Sequence, residues 1–315
     1  MEYKLLGNTG LKVSRLCFGA LTIGPLQANL SIKQGAALLR YAFELGVNFI
    51  DTAKLYGTYP YIKEALRGWD TPVIIASKSY DYTWEGMRQS LEEARLALNR
   101  DYLDIFLLHE QESELTLEGH RPALEYLWEA KVKGLIKAVG VSTHTVEVVK
   151  VAAARPDIEV IHPLVNYQGL GLLDGALPEL IEAIKTAYSA GKGIYGMKPL
   201  GGGNLIRDVD KALQYAFNLP YLHSVAVGCK TPEELVYNIC IMEGKEPPPS
   251  LKKKTRGIPR KLHIEEWCQG CGECVKKCPS ALLKIQEGKA VLTGEGCLFC
   301  GYCGAACPQF AIKVL

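Results

Sequence analysis

The sequence lacks both the long apolar runs of a membrane span and an excess of one charge. No stretch of about 18 consecutive apolar residues occurs in the 315-residue chain, and the opening, MEYKLLGNTG, has no apolar core of a signal peptide. The 36 Lys and Arg residues nearly balance the 34 Asp and Glu residues, for a net charge of +2. We therefore expect a cytoplasmic protein with neither a nucleic acid nor a membrane as its partner.

Two cofactor-binding motifs are also missing. No G-x-G-x-x-G sequence follows the first predicted strand, and no flavin-binding motif is recognisable. The chain does contain enough apolar residues, 48%, for a sizeable core, and its length suits one barrel-sized domain plus a small module.

Eight of the eleven cysteines lie in two C-terminal runs of identical spacing. The runs are Cys268-x2-Cys271-x2-Cys274-x3-Cys278-Pro279 and Cys297-x2-Cys300-x2-Cys303-x3-Cys307-Pro308. This spacing is typical of [4Fe-4S] ligands, and in two-cluster proteins the fourth cysteine of each run ligates the other cluster. The pattern predicts one cluster on Cys268, Cys271, Cys274 and Cys307, and a second on Cys297, Cys300, Cys303 and Cys278.

Residues 263–315 resemble a bacterial 2[4Fe-4S] ferredoxin, a small α+β domain, and each cysteine run ends on a proline as in that family. A zinc ribbon is the alternative, but it needs only four sulfurs and leaves the second run unexplained. Disulfides would require an oxidising compartment, which nothing else in the sequence indicates. The other three cysteines, Cys17, Cys229 and Cys240, are predicted to be free thiols.

A connector of different composition precedes this module. Residues 244–262, GKEPPPSLKKKTRGIPRKL, contain three consecutive prolines, a lysine triplet and few apolar residues. This composition is typical of a stiff, solvated linker, although its Lys and Arg residues could also dock an acidic partner. We therefore divide the chain into a domain over 1–243, this linker, and the iron–sulfur domain over 263–315.

In residues 1–243, short β-branched runs alternate with longer amphipathic stretches. The predicted strands are Leu16–Ala20, Val47–Asp51, Val73–Lys78, Asp104–His109, Ile136–Ser142, Ile158–Val165, Gly193–Lys198 and Ser224–Gly228. The predicted helices include Ile32–Leu45, Thr83–Leu98, Gly119–Lys133, Thr145–Ala154, Pro178–Ala190 and Pro232–Glu243. Strands that are almost continuously apolar suit a parallel sheet covered on its outer side. The pattern predicts an α/β fold, a (β/α)8 TIM barrel; a doubly wound sheet is the alternative, disfavoured by the missing glycine motif.

Three consecutive predicted strands end on a titratable residue: Asp51, Lys78 and His109. The chemistry of such barrels lies at the carboxyl ends of the strands, so we expect these side chains to converge at one mouth. Tyr56 follows Asp51 by five residues and lies within reach of the same mouth. A buried ion-pair cluster without a catalytic role is the alternative interpretation.

Asp51, Tyr56, Lys78 and His109 look like the catalytic tetrad of the aldo-keto reductases. Residues 3–14, YKLLGNTGLKVS, resemble the N-terminal hairpin of that family, and residues 139–142, VGVS, resemble its nicotinamide-side motif. The resemblance covers about residues 1–240 and implies an enzyme that uses a nicotinamide cofactor to reduce a small aldehyde or ketone to an alcohol.

The chemistry of carbonyl reduction gives each member of the tetrad a role. A free tyrosine, with a pKa near 10, is a poor acid at neutral pH, so we expect a nearby Lys78 ammonium to lower the pKa of Tyr56. Asp51 would hold Lys78 in place. His109 would orient the carbonyl oxygen by a hydrogen bond, and Tyr56 would donate the proton.

The family resemblance also implies a binding site for NADP(H) or NAD(H). Ser142, with Asn166 or Gln168, would hold the carboxamide of the nicotinamide. Met197 stands where the family usually places an aromatic residue against the nicotinamide ring.

The adenosine end of the cofactor is expected near the eighth strand. Glu234 stands where NADPH-specific members often have a basic residue, and Lys230 could compensate, so the choice between the two cofactors stays open. The remaining implied contacts are Pro199, Leu200, Gly201, Asn204, Leu205, Gly228 and Asn238.

The two modules differ in the number of electrons that they exchange. Nicotinamide gives up two electrons together as hydride, whereas each cluster accepts one, and enzymes normally bridge that difference with a flavin. Two functions therefore stay open: a nicotinamide-dependent carbonyl reductase with an appended iron–sulfur module, or an iron–sulfur electron-transfer protein whose barrel is a docking or sensing scaffold. Either function leaves room for a redox protein as partner. The intact tetrad favours the reductase.

Overall fold

A computed structural model describes all residues from Met1 to Leu315. Its strands are β1 (Tyr3–Leu5), β2 (Lys12–Ser14), β3 (Leu16–Gly19), β4 (Phe49–Asp51), β5 (Ile74–Ser79), β6 (Leu103–Gln111), β7 (Ile136–Thr143), β8 (Val160–Pro163), β9 (Gly193–Gly196), β10 (Ser224–Val227), β11 (Leu262–Ile264), β12 (Leu283–Gln286), β13 (Lys289–Leu292) and β14 (Ile312–Val314). Its α-helices are α1 (Ile32–Glu44), α2 (Tyr59–Leu66), α3 (Trp84–Leu98), α4 (Glu114–Gly119), α5 (Arg121–Val132), α6 (Val146–Ala154), α7 (Leu177–Ser189), α8 (Val209–Asn218), α9 (Pro232–Met242), α10 (Pro249–Arg256), α11 (Glu273–Lys277) and α12 (Tyr302–Ala305).

Strands β3 to β10 close into a parallel barrel in the order of the chain, with β10 pairing against β3. All eight predicted strands occur, and their ends are shifted by no more than two residues. Helices α2 and α8, which were not among the predicted segments, complete the alternation of strand and helix. The predicted (β/α)8 barrel is confirmed. None of the helices is long and apolar enough to span a membrane.

The barrel strands are buried on both faces, which explains why their sequences are almost continuously apolar. Phe49, Ile105 and Tyr195 belong to an inner core that fills the barrel. The hairpin of β1 and β2 contributes Leu6 and Val13 to the same inner core, so it closes the amino end of the barrel. The carboxyl end of the barrel is formed by the loops that follow the strands.

The predicted linker contains a helix. Residues 249–256 form α10, in which Leu251 packs against the barrel core and Lys252 donates a hydrogen bond of 2.9 Å to Glu246. Pro249 occupies the first turn of the helix, where a missing N–H costs nothing because that group has no partner within the helix. The composition of residues 244–262 predicted a solvated connector; part of it, residues 249–256, is helical, but no residue of that helix is buried and Leu251 makes its contact with the barrel core.

The C-terminal module is built from two antiparallel pairs of strands and two short helices. Strand β11 pairs with β14, and β12 pairs with β13. Helices α11 and α12 lie against each other, and Cys274, Leu283, Cys303 and Ile312 form the centre of a small core. This core places one cysteine of each run in the interior of the module.

The module is docked on the loop that follows β9, at the carboxyl end of the barrel. The N–H of Val314 donates to the carbonyl of Gly202 over 3.0 Å, and the Asn204 amide donates to the carbonyl of Ile312 over 2.9 Å. Gly203 has a φ of +82°, and a Cβ at that position would lie 1.8 Å from the carbonyl oxygen of Val314. Only glycine permits this approach. The iron–sulfur module therefore covers the end of the barrel at which chemistry is expected.

Candidate active site

A buried ion pair lies at the carboxyl end of β4 and β5. The Lys78 ammonium donates to both carboxylate oxygens of Asp51, each over 2.8 Å, and to the carbonyl of Thr52 over 2.9 Å. The side chains of Lys78 and Asp51 are 1% and 7% exposed. All three ammonium hydrogens are therefore used within the protein, which fixes the position of the charge.

Two polar residues that the sequence analysis did not predict support the ion pair from inside the barrel. The hydroxyl of Tyr195 on β9 donates to Asp51 over 3.0 Å, and Nε2 of His162 on β8 lies 3.5 Å from the same carboxylate. Nδ1 of His162 lies 2.6 Å from the carbonyl of Tyr195, and burial lowers the pKa of His162 to about 4. Both residues are polar positions within otherwise apolar strands, and this was the sequence feature from which their place in the site could have been predicted.

Tyr56 and His109 lie beside this ion pair. The ring centres of Tyr56 and His109 are 5.8 Å apart, and the Lys78 ammonium lies 4.9 Å from the centre of the Tyr56 ring. The ring of Tyr80 stacks on His109 with the centres 4.1 Å apart. The structure thus brings together the four residues that were predicted to converge.

The protonation of Tyr56 differs from the sequence-based expectation. Burial, followed by the carboxylates of Asp51 and Glu110, raises the pKa of Tyr56 well above its ordinary value, whereas the sequence predicted that Lys78 would lower it. The ammonium of Lys78 is directed at Asp51 and Thr52, and it faces the ring of Tyr56. Tyr56 is therefore fully protonated at neutral pH.

His109 is held neutral. Burial and the ammonium groups of Lys78 and Lys198 lower the pKa of His109 well below its ordinary value. Its Nδ1 atom is buried and has no hydrogen-bond partner. A neutral imidazole can present one N–H donor to a substrate oxygen.

A cavity of about 1950 Å³ lies above the tetrad and extends between the barrel and the C-terminal module. Asp51, Tyr56 and His109 line it from the barrel, and Phe310 and Lys313 line it from the module. Several predicted cofactor contacts also line this cavity: Met197, Pro199, Leu200, Gly228, Lys230, Glu234 and Asn238.

The other predicted cofactor contacts do not line the cavity, namely Ser142, Asn166, Gln168, Gly201, Asn204 and Leu205. The hydroxyl of Ser142 accepts the N–H of Glu110 over 2.8 Å, and the Asn166 side chain bonds the backbone of Leu170. Asn204 is 4% exposed and is engaged with the iron–sulfur module. The Asn166 side chain is therefore engaged within the protein, whereas the Ser142 hydroxyl keeps its hydrogen for a further acceptor and the buried Asn204 Oδ1 has no partner.

Basic residues of segment 244–262 also line the cavity. Arg260 pairs with Glu234 over 2.8 Å, and the Lys230 ammonium donates to the carbonyl of Pro259 over 3.0 Å. Arg256 and Lys261 line the same region. A cavity of this volume, lined by three members of the tetrad and by several cations, fits a dinucleotide, because its phosphates need positive charge.

A second polar group lies next to His109 and was not predicted. The Lys198 ammonium lies 2.8 Å from Nε2 of His144 and 3.8 Å from the carboxylate of Glu110, which also accepts the hydroxyl of Tyr80. The backbone φ values of Glu110 and Lys198 are 47° and 56°, in the left-handed region that residues other than glycine rarely adopt. Backbone strain of this kind is concentrated at functional sites.

The cysteines form two neighbourhoods that alternate between the runs. Burial and the nearby thiols of Cys307, Cys268 and Cys271 raise the pKa of Cys274. The other four line one small, mostly apolar pocket: Cys278, Cys297, Cys300 and Cys303. No cysteine is in a disulfide, and no three side chains of the described chain are arranged around a single metal ion. Eight thiols gathered in one small module suit two clusters better than one tetrahedral ion, which needs only four ligands.

Comparison with known proteins identifies both modules. The aldo/keto reductase family matches residues 15–217, and a 4Fe-4S dicluster domain matches residues 260–308. The first match covers more than half of the chain. The protein therefore belongs to the aldo/keto reductase family, as an oxidoreductase that carries a dicluster iron–sulfur domain at its C-terminal end.

Several relatives and solved structures are similar to the barrel. L-galactose dehydrogenase of Arabidopsis thaliana is 29% identical over 65% of this chain and 67% of that enzyme. Aldo-keto reductase YhdN of Bacillus subtilis is 26% identical over 56% of this chain and 58% of that protein. The crystal structure of an aldo-keto reductase from Pseudomonas aeruginosa is 27% identical, with a TM-score of 0.66 over 77% of this chain and 94% of that one. The holo form of an aldo-keto reductase from Bacillus halodurans, 20% identical with a TM-score of 0.66, shows the same fold.

Proposed function

We propose that this protein reduces the carbonyl group of a small aldehyde or ketone to an alcohol with NADPH or NADH, and that Tyr56 donates the proton. The observation that carries the proposal is the convergence of Asp51, Lys78, Tyr56 and His109 at the floor of one large cavity. A buried ion pair needed only for stability would not require a tyrosine and a neutral histidine beside it.

The residues of this site suit proton transfer to a developing alkoxide. Tyr56 keeps its proton at neutral pH because its pKa is raised, so a donor is present before hydride transfer begins. When the proton leaves, the Lys78 ammonium 4.9 Å from the ring stabilises the phenolate that remains. The Asp51 carboxylate holds that ammonium in place, and the Tyr195 hydroxyl in turn holds the carboxylate.

His109 would position the carbonyl. A neutral imidazole at the cavity floor can donate a hydrogen bond to the substrate oxygen and stabilise the charge that develops there. Its stacked neighbour, Tyr80, keeps the imidazole ring from turning away.

The nicotinamide cofactor would supply the hydride. Met197, Pro199 and Leu200 line the part of the cavity that its nicotinamide end would occupy. Lys230 and Asn238, which line the opposite end of the cavity, would hold the adenosine phosphates and the adenine. Because Arg260 neutralises Glu234 over 2.8 Å, that carboxylate does not exclude a 2′-phosphate.

We further propose that the dicluster domain carries two [4Fe-4S] clusters with crossed ligation. One would be held by Cys268, Cys271, Cys274 and Cys307, and the other by Cys278, Cys297, Cys300 and Cys303. The supporting observations are the thiol neighbourhood of Cys274 and the shared pocket of the other four cysteines. The clusters imply a redox protein as a second partner, besides the small carbonyl substrate.

The test is the Tyr56→Phe variant, purified anaerobically and assayed with NADPH and with NADH against a panel of aldehydes and ketones. Loss of a general acid lowers a rate by about 10² to 10⁴, so turnover should fall by that factor while nicotinamide binding persists. Tyr59→Phe is the matched control, because Tyr59 is buried, bonds Ser77 and does not line the cavity.

Two outcomes would contradict the proposal. If Tyr56→Phe turned over at the wild-type rate, another group would be the acid. If the wild-type protein oxidised neither cofactor with any carbonyl compound, the scaffold interpretation of the barrel would replace the reductase.

A further inference from the structure

The iron–sulfur module contributes a lysine to the cavity of the barrel. Lys313 on β14 is 8% exposed, and its ammonium lies 3.2 Å from the centre of the Phe310 ring and donates to the carbonyl of Phe310. No carboxylate lies within 4.0 Å of that ammonium. A buried ammonium without a close counter-ion is unfavourable. Burial, followed by the charge of Lys198, therefore lowers the pKa of Lys313 to about 6, and an anion bound beside it would favour the charged form.

A second lysine, from the barrel, faces the same ring. The Lys198 ammonium lies 5.5 Å from the centre of the Phe310 ring, and Phe310 itself packs against Met197 and Leu164 of the barrel. Docking of the module therefore brings two lysine side chains to one patch of the cavity wall. The positive charge of Lys198 disfavours a second positive charge on Lys313, and negative charge bound between or beside the two lysines would offset that repulsion.

The carboxylates around this patch are already engaged. Glu110 accepts the hydroxyl of Tyr80 and lies 3.8 Å from Lys198. Glu265, from the module, lies 3.0 Å from Nε2 of His263. Glu265, the Cys307 thiol and Glu110 act on Lys313 only from a distance, and no carboxylate of the protein is its direct partner. The position beside Lys313 within the cavity is therefore the one that a bound anion would take.

The patch is also next to the reacting groups. Glu110 follows His109 directly in β6, and Tyr80 bridges the two residues, with its ring on His109 and its hydroxyl on Glu110. A compound that reaches from His109 to Lys198 stays within the one cavity that these residues line. A substrate could therefore place its carbonyl at Tyr56 and an acidic group at the lysines.

We propose that Lys198 and Lys313 form a subsite for an oxyanion group, a carboxylate or a phosphate, of the carbonyl substrate. The subsite exists only when the iron–sulfur module is docked, since one lysine comes from each module. It rests on the proposed reductase function, and it explains why a module with electron-transfer chemistry is seated on the mouth of a barrel. The substrate class is then an acidic aldehyde or ketone.

Binding is tested without turnover, on the full-length protein with its clusters loaded under anaerobic conditions. Benzoate, phenyl phosphate and neutral benzamide are titrated by calorimetry into the wild type and into Lys313→Met and Lys198→Met. A hydrogen bond to a charged group contributes enough to expect a loss of about tenfold or more in the affinity of the anions. Benzamide affinity should not change. Lys313→Arg, which keeps the charge, should retain most of the affinity for the anions.

The turnover arm compares 4-formylbenzoate and 4-formylphenyl phosphate with 4-formylbenzamide. The wild type should have a lower KM for at least one anionic aldehyde, and Lys313→Met should raise that KM by about tenfold with kcat little changed. The control is Lys284→Met, an exposed residue of the same module on β12. The benzoate and phosphate arms separate the two kinds of oxyanion.

Three results would overturn the subsite. The first is a wild type with no preference for either anion over the amide. The second is an anion affinity that survives in both lysine variants. The third is a Lys313→Met protein whose cluster reduction potentials shift while anion binding does not, because Lys313 would then serve the cluster. If no aldehyde is reduced but benzoate binding depends on the lysines, the subsite stands and the reductase function fails.

Discussion

The ion pair of Lys78 and Asp51 permits a quantitative test of how the site is built. In Lys78→Met, the Asp51 carboxylate would remain 7% exposed, with the Tyr195 hydroxyl at 3.0 Å as its remaining direct donor. Removing one partner of a buried pair costs about 3–5 kcal/mol, because the other charge is left without compensation. We expect the free energy of unfolding of the barrel to fall by that amount.

The corresponding double variant should recover part of this loss. In Lys78→Met/Asp51→Leu both charges are absent, and replacing a buried ion pair by apolar side chains is often close to neutral. The double variant should therefore be more stable than Lys78→Met alone, although both should be inactive in carbonyl reduction. Arg121→Met is the surface control, since the pair of Arg121 with Glu125 is 66% and 62% exposed and such pairs contribute about 0–1 kcal/mol.

The assay is guanidinium denaturation followed by tryptophan fluorescence. Three of the four tryptophans, Trp69, Trp84 and Trp128, belong to the barrel, so the signal reports mainly on that domain. If Lys78→Met were no less stable than Arg121→Met, or if the double variant were the least stable of the set, the pair would not be the buried, mutually compensated unit described above.

Further predictions concern pH, the clusters and the docking of the module. The pKa of Tyr56 is raised and that of His109 is lowered, so both groups keep one protonation state around neutrality. We therefore expect kcat for reduction to be flat from about pH 6 to 9. A bell-shaped pH profile of kcat centred on about pH 7 would contradict this. Cys278→Ala should damage the cluster of the second cysteine run, by iron content and paramagnetic resonance, and loss of the first-run cluster instead would refute the crossed ligation. Gly203→Ala places a Cβ 1.8 Å from the carbonyl oxygen of Val314, which the docked module cannot accommodate. We therefore expect faster proteolytic release of the module from this variant, and an unchanged cleavage rate would contradict the docking.

The sequence predicted the barrel and its tetrad because each depends on local patterns. A charged residue that ends an apolar strand is visible in one dimension, as at Asp51 and Lys78, and parallel strands bring such ends together. His162 and Tyr195 were missed because they lie inside strands, where a polar residue normally indicates only a local hydrogen bond. The convergence of these four side chains is therefore predictable, whereas the residues that hold the ion pair are less so.

The contact between the two modules could not be predicted from the sequence. The hydrogen bond from Asn204 to Ile312 joins residues 108 positions apart, and no local pattern specifies such a partner. Phe310 and Lys313 belong to a ferredoxin-like segment whose cysteines dominated the interpretation, so their position in the barrel cavity was not expected. The pKa of Tyr56 was predicted in the wrong direction because burial and two carboxylates outweigh an ammonium that faces the ring.

The central claim is that the barrel transfers hydride from a nicotinamide to a carbonyl carbon while Tyr56 supplies the proton. The most direct measurement uses reduced nicotinamide that carries deuterium at the transferred position of C4, with 4-formylbenzoate as the acceptor and proton NMR of the isolated alcohol. The proposal predicts one deuterium on the former carbonyl carbon of each product molecule, and product formation at least about 10²-fold slower in Tyr56→Phe. An alcohol that contains only solvent hydrogen at that carbon, or no alcohol at all, would contradict it.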